Sequence, residues 1–88
     1  MKIQIDRSFE RDSKRLTQQA QQQVGAVIQK IKAAASLKEL DVTKMDASTN
    51  AYRIRSGNYR IGFYMESDMI ILSRVLDRKD IYRYFPMK

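Results

Sequence analysis

The sequence predicts an α+β protein: an N-terminal strand, two helices, then a mainly antiparallel sheet with helices packed on one face. Three observations carry this. Ile3 and Ile5 alternate with Lys2 and Gln4, the period of a short strand. Val24, Val27, Ile28, Ile31 and Ala35 recur at helical spacing, and residues 52–65 alternate apolar and other side chains on both sides of Gly57-Asn58, a two-residue hairpin signal. With 88 residues the chain is expected to form one domain, 1–88, around one modest core.

The first strand should end at Asp6, with Ser8 capping a helix whose first turn carries Glu10 and whose inner side includes Phe9, Leu16 and Ala20. The glutamine-rich stretch 18–23 leads into the second helix, ending near Ala35 and offering its apolar stripe to the sheet. Periodicity then fails from 36 to 51, where Asp41, Thr43, Asp46, Ser48, Thr49 and Asn50 suggest one long connection with room for a helical turn at 37–40.

If Gly57-Asn58 is the loop, the hairpin register follows: Ser56 faces Tyr59, Arg55 faces Arg60, Ile54 faces Ile61, Arg53 faces Gly62 and Tyr52 faces Phe63. Tyr52, Ile54, Tyr59, Ile61, Phe63 and Met65 then share the core face, and Arg53, Arg55, Arg60 and Tyr64 the other, because a one-residue slip inverts every side chain. Two arginines directly opposite destabilise a strand pair by up to about 1 kcal/mol. A phosphate between them turns that repulsion into a clamp, since guanidinium forks match its oxygens. Solvated, splayed arginines are the alternative. Gly62 would leave space for a ligand over the sheet or mark a bulge.

Residues 69–76 read as a nearly continuous apolar strand. A three-residue turn before it would place Arg74 beside Arg60, and a two-residue turn would place it on the core face. Beyond it, Asp77 can cap a terminal turn. Arg78, Lys79 and Arg83 beside Tyr82 suit backbone-plus-base contact, since aromatic faces stack on unpaired bases whatever their identity. Tyr84 and Phe85 suit packing of the chain end, with Pro86 stopping any helix.

Composition narrows the chemistry. The chain has no cysteine and no histidine, so disulfides, thiolate nucleophiles, Cys/His metal sites and imidazole acid–base catalysis are excluded. No metal or cofactor is expected. A net charge of +7 favours polyanions, nucleic acid or an acidic protein. The longest apolar run, Met69-Ile70-Ile71-Leu72, is too short for a membrane span, and the polar start is no signal peptide, so a cytoplasmic protein without membrane contact is expected.

Tyr-Arg-Ile-Arg-x-Gly-x-Tyr-Arg-Ile at 52–61, followed by Arg-Lys-Asp-Ile-Tyr-Arg at 78–83, resembles the RelE side of the RelE/ParE toxin superfamily, over roughly residues 2 to 84. The resemblance implies a toxin that cuts messenger RNA in the ribosomal decoding site and is neutralised by an antitoxin, here expected to be acidic. By motif it places site residues at Arg53, Arg55, Arg60, Arg78 and Tyr82. It implies a catalytic set of Arg55, Arg60, Arg78 and Tyr82; with Arg53, the residues that the sheet register and the terminal segment offer, Tyr64, Arg74, Lys79 and Arg83, are the expected RNA contacts. Relatives commonly carry lysine at the positions of Arg53 and Arg55, which leaves Tyr82, Tyr64 or Lys79 for proton transfer, or positioning alone. They also commonly carry glycine and a basic residue where Leu76 and Asp77 stand. A ParE-like gyrase inhibitor and a non-catalytic RNA- or antitoxin-binding module share the fold; the Arg-Lys-Asp-Ile-Tyr string argues against the first. Lys30, Lys32 and Lys38, on or just after the second helix, are expected away from the basic face.

Overall fold

In the computed structural model, which describes residues 1–45 and 49–86, the chain runs β1 (Lys2–Ile5), α1 (Arg7–Lys14), α2 (Gln18–Ala33), a 3-10 turn (Leu37–Glu39), β2 (Val42–Lys44), β3 (Ala51–Ser56), β4 (Tyr59–Glu66), β5 (Met69–Asp77) and α3 (Ile81–Tyr84). Asp46 and Ser48, assigned by sequence to the long connection, lie outside the described residues. One five-stranded sheet has the order β1-β5-β4-β3-β2, with β1 parallel to β5 and the other pairs antiparallel.

The hairpin register is the one the Gly-Asn loop dictates, from Ser56 opposite Tyr59 to Tyr52 opposite Phe63. Burial follows the alternation: Ile54, Ile61 and Phe63 join Ile70, Leu72 and Val75 in the core under Phe9, Val24 and Ile31 of the two long helices. The helices depart from expectation in detail. Thr17 caps α2, its Oγ accepting from the Ala20 amide at 3.1 Å, so Ala20 belongs to α2. α2 stops at Ala33, two residues short of the expected end. Asp6, not Ser8, occupies the first cap position, and the Ser8 hydroxyl donates instead to the Ser73 carbonyl.

The connection carries the foreseen helical turn, closed by a Ser36–Glu39 capping box, and also the unforeseen strand β2. Three residues are too few to show a period; pairing with Tyr52, Arg53 and Ile54 is what makes them a strand.

Neither alternative for Arg74 holds. The turn into β5 is the two-residue Ser67-Asp68, with Ser67 at φ 55°, and Glu66 faces Met69. That parity would send Arg74 to the core face. A bulge intervenes: Phe63 faces Leu72 while Gly62 faces Arg74, so Ser73 is an extra residue and the alternation resets after it. Ser73 is buried, and its hydroxyl donates to an Asp6 carboxylate oxygen at 3.1 Å. Downstream of the bulge β1 has ended, and α1 covers the edge of β5. Asp12, only 3% exposed, accepts from the Val75 amide at 3.2 Å.

A second, smaller cluster lies on the outer face, where Ile81 and Phe85 pack with Met45 and Ala51 beside half-buried Tyr64 and Leu76. A four-residue helix has no stability of its own. Burying a phenylalanine side chain contributes about 2–3 kcal/mol, so Phe85 anchors α3. Its ring also settles the role of Gly62. A Cβ there would stand 2.6 Å from Phe85, so the space is filled by protein rather than left for a ligand, and the register shift lies at this glycine.

Candidate nucleic-acid interface

β3 and β4 hold the basic residues on the sheet face that α1 and α2 do not cover. Arg53 and Arg55 lie two apart on β3, and Arg60 stands across from Arg55 on β4. Arg60 curls back over the hairpin loop, its Nη1 donating to the Tyr59 carbonyl at 2.9 Å and the Gly57 carbonyl at 3.2 Å. Its remaining N–H groups are left for other acceptors. Arg78 follows β5, its amide bonded to the Asn58 carbonyl at 3.0 Å, which ties the exit of the last strand to the same loop.

The charges are close enough to feel one another. Burial, followed by repulsion from Arg55, Arg53 and Arg78, lowers the Arg60 pKa below the ordinary guanidinium value, while Tyr82 acts in the opposite direction. Tyr82 on α3 therefore joins the cluster, with the Arg53 guanidinium over its ring at 5.0 Å. The structure thus gathers Arg53, Arg55, Arg60, Arg78 and Tyr82 on one surface.

The other sequence candidates stand elsewhere. Tyr64 shares the outer face, but its ring lies against Phe85 at 5.1 Å, in the small cluster that seats α3. Arg74 is held by Asp12 in a two-pronged pair, at 2.6 Å from Nε and 3.1 Å from Nη2. That hydrogen bonding raises the Arg74 pKa, against an opposing effect of burial and with smaller help from the Asp12 and Tyr84 charges. The Arg74 guanidinium also lies over the Tyr84 ring at 5.6 Å. Lys79 and Arg83 are exposed beside and on α3, and neither is among the charges that shift Arg60. Lys30 is nearer than its helix suggests, since it lines a groove of about 550 Å³ with Arg55, Ser56 and Gly57.

Asp77 does not sit among the arginines. It faces Tyr59, on the side of the sheet opposite Arg60, and its carboxylate accepts from the Lys79 amide at 2.9 Å, forming the turn into α3. Sequence reasoning missed Asp12, whose partner lies 62 residues away, and the β2 residues Thr43 and Lys44, which line a depression with Arg53 and Tyr82. Among the described residues there is no group of three or more Asp or Glu that could hold a metal ion, and no helix is long and apolar enough to cross a membrane.

Fold and face together define a class: a small cationic α+β protein with an arginine cluster that no ion pair compensates among the described residues, and an exposed tyrosine on the same sheet face. No family model matches the chain. It is 40% identical over 88 residues to toxin RelE3 of Methanocaldococcus jannaschii, covering 98% of this chain and 100% of the relative. It is also similar to the solved RelB–RelE antitoxin–toxin complex from Methanococcus jannaschii, at TM-score 0.77 and 38% identity over 93% of this chain and 98% of that one. The archaeal RelE–RelB complex from Pyrococcus horikoshii OT3, at TM-score 0.70 and 16% identity over 88% and 93% of the two chains, shares the fold. The chain belongs to the RelE toxin family.

Proposed function

We propose that this chain is the toxin of a type II toxin–antitoxin pair and a ribosome-dependent endoribonuclease of messenger RNA, acting in the cytoplasm and neutralised by its antitoxin. Family membership supports the toxin assignment. The observation that carries the chemistry is the placement of Arg55 directly opposite Arg60 on the open sheet face, with Arg53 and Arg78 near enough to repel Arg60. Cations arranged at a cost to one another are matched by an anion that relieves all of them, and a phosphate gaining charge relieves them most.

In the proposed reaction the RNA 2′-oxygen attacks the adjacent 3′ phosphorus in line. The O2′–P bond forms, the P–O5′ bond breaks, the 2′-hydroxyl loses its proton, and the 5′-oxygen leaves and gains one. The products are a cyclic phosphate and a 5′-hydroxyl. Arg55, Arg60 and Arg78 meet the charge on the phosphoryl oxygens, and Tyr82 holds the nucleotide. Arginine does not accept protons near neutral pH, so positioning and charge stabilisation supply most of the rate.

Primer-extension mapping of message on translating ribosomes tests this. The wild-type protein is expected to give cuts at a fixed position within the codon. Arg60→Ala and Arg78→Ala are each expected to slow the single-turnover rate by on the order of 10² or more, with ribosome affinity much less affected. Folded, ribosome-bound variants that cut at the wild-type rate would show the assignment to be wrong. Gyrase inhibition without cuts would favour a ParE-like activity.

A further inference from the structure

One cross-strand row carries α3. Gly62 of β4 faces Arg53 on β3 and Arg74 on β5, so the two arginines flank a glycine on the outer face. The Phe85 ring lies over that glycine. On either side the row makes the same contact: the Arg53 guanidinium stands over the Tyr82 ring at 5.0 Å, and the Arg74 guanidinium over the Tyr84 ring at 5.6 Å. Ile81 and Phe85 are joined by a hydrogen bond of 2.8 Å from the Phe85 amide to the Ile81 carbonyl, and they form one buried stripe with Tyr82 and Tyr84 on its opposite flanks. A helix of four residues held along a single stripe can roll about it. Contacts on the flanks are what fix the roll.

The two flanks differ in firmness. Arg53 Nε is buried and has no hydrogen-bond partner among the described residues. Arg74 is anchored, because Asp12, itself 3% exposed, accepts from both Nε and Nη2 and so sets the plane of the guanidinium. A cation within about 6 Å of a tyrosine ring attracts it, and core packing does not require this contact, since Tyr84 is 47% exposed. The register shift beside Gly62 is what brings Arg74 to the outer face, opposite that glycine. We infer that Arg74 is a positioning residue of the proposed nuclease: anchored by Asp12, it holds Tyr84 and thereby sets the roll of α3 that turns Tyr82 toward the arginine cluster. Arg74 touches no substrate in this role. The inference rests on the nuclease reading above and gives a task to the arginine that Asp12 withdraws from RNA.

Tyr84 is half exposed, so replacing it leaves the core intact. Tyr84→Ala is expected to slow single-turnover cleavage of ribosome-bound message about tenfold with ribosome affinity unchanged, and Tyr84→Phe, which keeps the ring, to recover most of the rate. Arg74→Lys keeps the charge but not the fork; it is expected to lose about tenfold alone and no more when combined with Tyr84→Ala. A direct contact of Tyr84 with RNA is separated by a further pair. In a Tyr82→Ala background Tyr84→Ala is expected to cost nothing more, because no ring remains to be misplaced. In the free protein Tyr84→Ala is expected to shift the NMR signals of the Tyr82 ring, a readout that needs no ribosome. The positioning role is overturned if Tyr84→Ala cuts at the wild-type rate, if its loss multiplies with that of Tyr82→Ala, or if the Tyr82 signals stay in place. Absence of any codon-positioned cut by the wild-type protein overturns the nuclease reading, and the Tyr82 signals then decide by themselves whether Arg74 and Tyr84 set α3.

Discussion

Arg60 and Arg74 stand on the same face of adjacent strands and have opposite electrostatic fates. Arg60 has like charges for neighbours, and Arg74 has a buried carboxylate. The difference decides which of them is available to a polyanion, because Asp12 has already taken two donors of Arg74 and cancelled its charge. Removing one partner of a buried pair leaves an uncompensated charge, which typically costs about 3–5 kcal/mol. Asp12→Ala is therefore expected to lower stability by about that amount in denaturant or thermal unfolding, since it strands both the Arg74 guanidinium and the Val75 amide. Loss below about 1 kcal/mol would show that the pair is replaceable by water. The outward set Arg53, Arg55 and Arg60 was legible because a Gly-Asn loop fixes register locally. Asp12 was not, since an acidic residue in a polar helix looks solvated until the strand it caps is known.

At the scale of elements, α3 presents Tyr82 only because the residues on either side of it are buried. Ile81 and Phe85 seat the short helix, and Gly62 accepts the Phe85 ring where any side chain would collide. Gly62→Ala is expected to cost about 1–3 kcal/mol by overpacking. It should also cut nuclease activity more than Tyr82→Phe does, because the whole helix shifts while the hydroxyl change leaves stacking intact. Hydrogen exchange on the variant is expected to show faster exchange in 81–85 with protection retained in β3; unchanged α3 protection would contradict this coupling. The bulge had one trace in the sequence, Gly62, while β5 itself hid it, because 69–76 is nearly continuously apolar and has no alternation to break. β2 left no comparable trace, being a strand by virtue of its neighbour.

For the whole molecule the governing quantity is the charge of +7 on 88 residues, which acts at a distance before any contact is made. An antitoxin with an acidic binding segment is expected to associate rapidly, at a rate that falls steeply as salt rises, while dissociation changes less. An association rate insensitive to salt would show that apolar contact, not the field, governs capture. The sheet that displays this charge also has a built-in parity, and Ser73 sets it for everything downstream. Side-chain alternation has only two values, so it cannot drift by degrees, and substitutions do not change it. Adding or removing one residue does. The surface on which Arg78 and α3 emerge is thus governed by chain length between 69 and 77, and one residue more or fewer in that stretch would deliver the last arginine and its tyrosine to the other side.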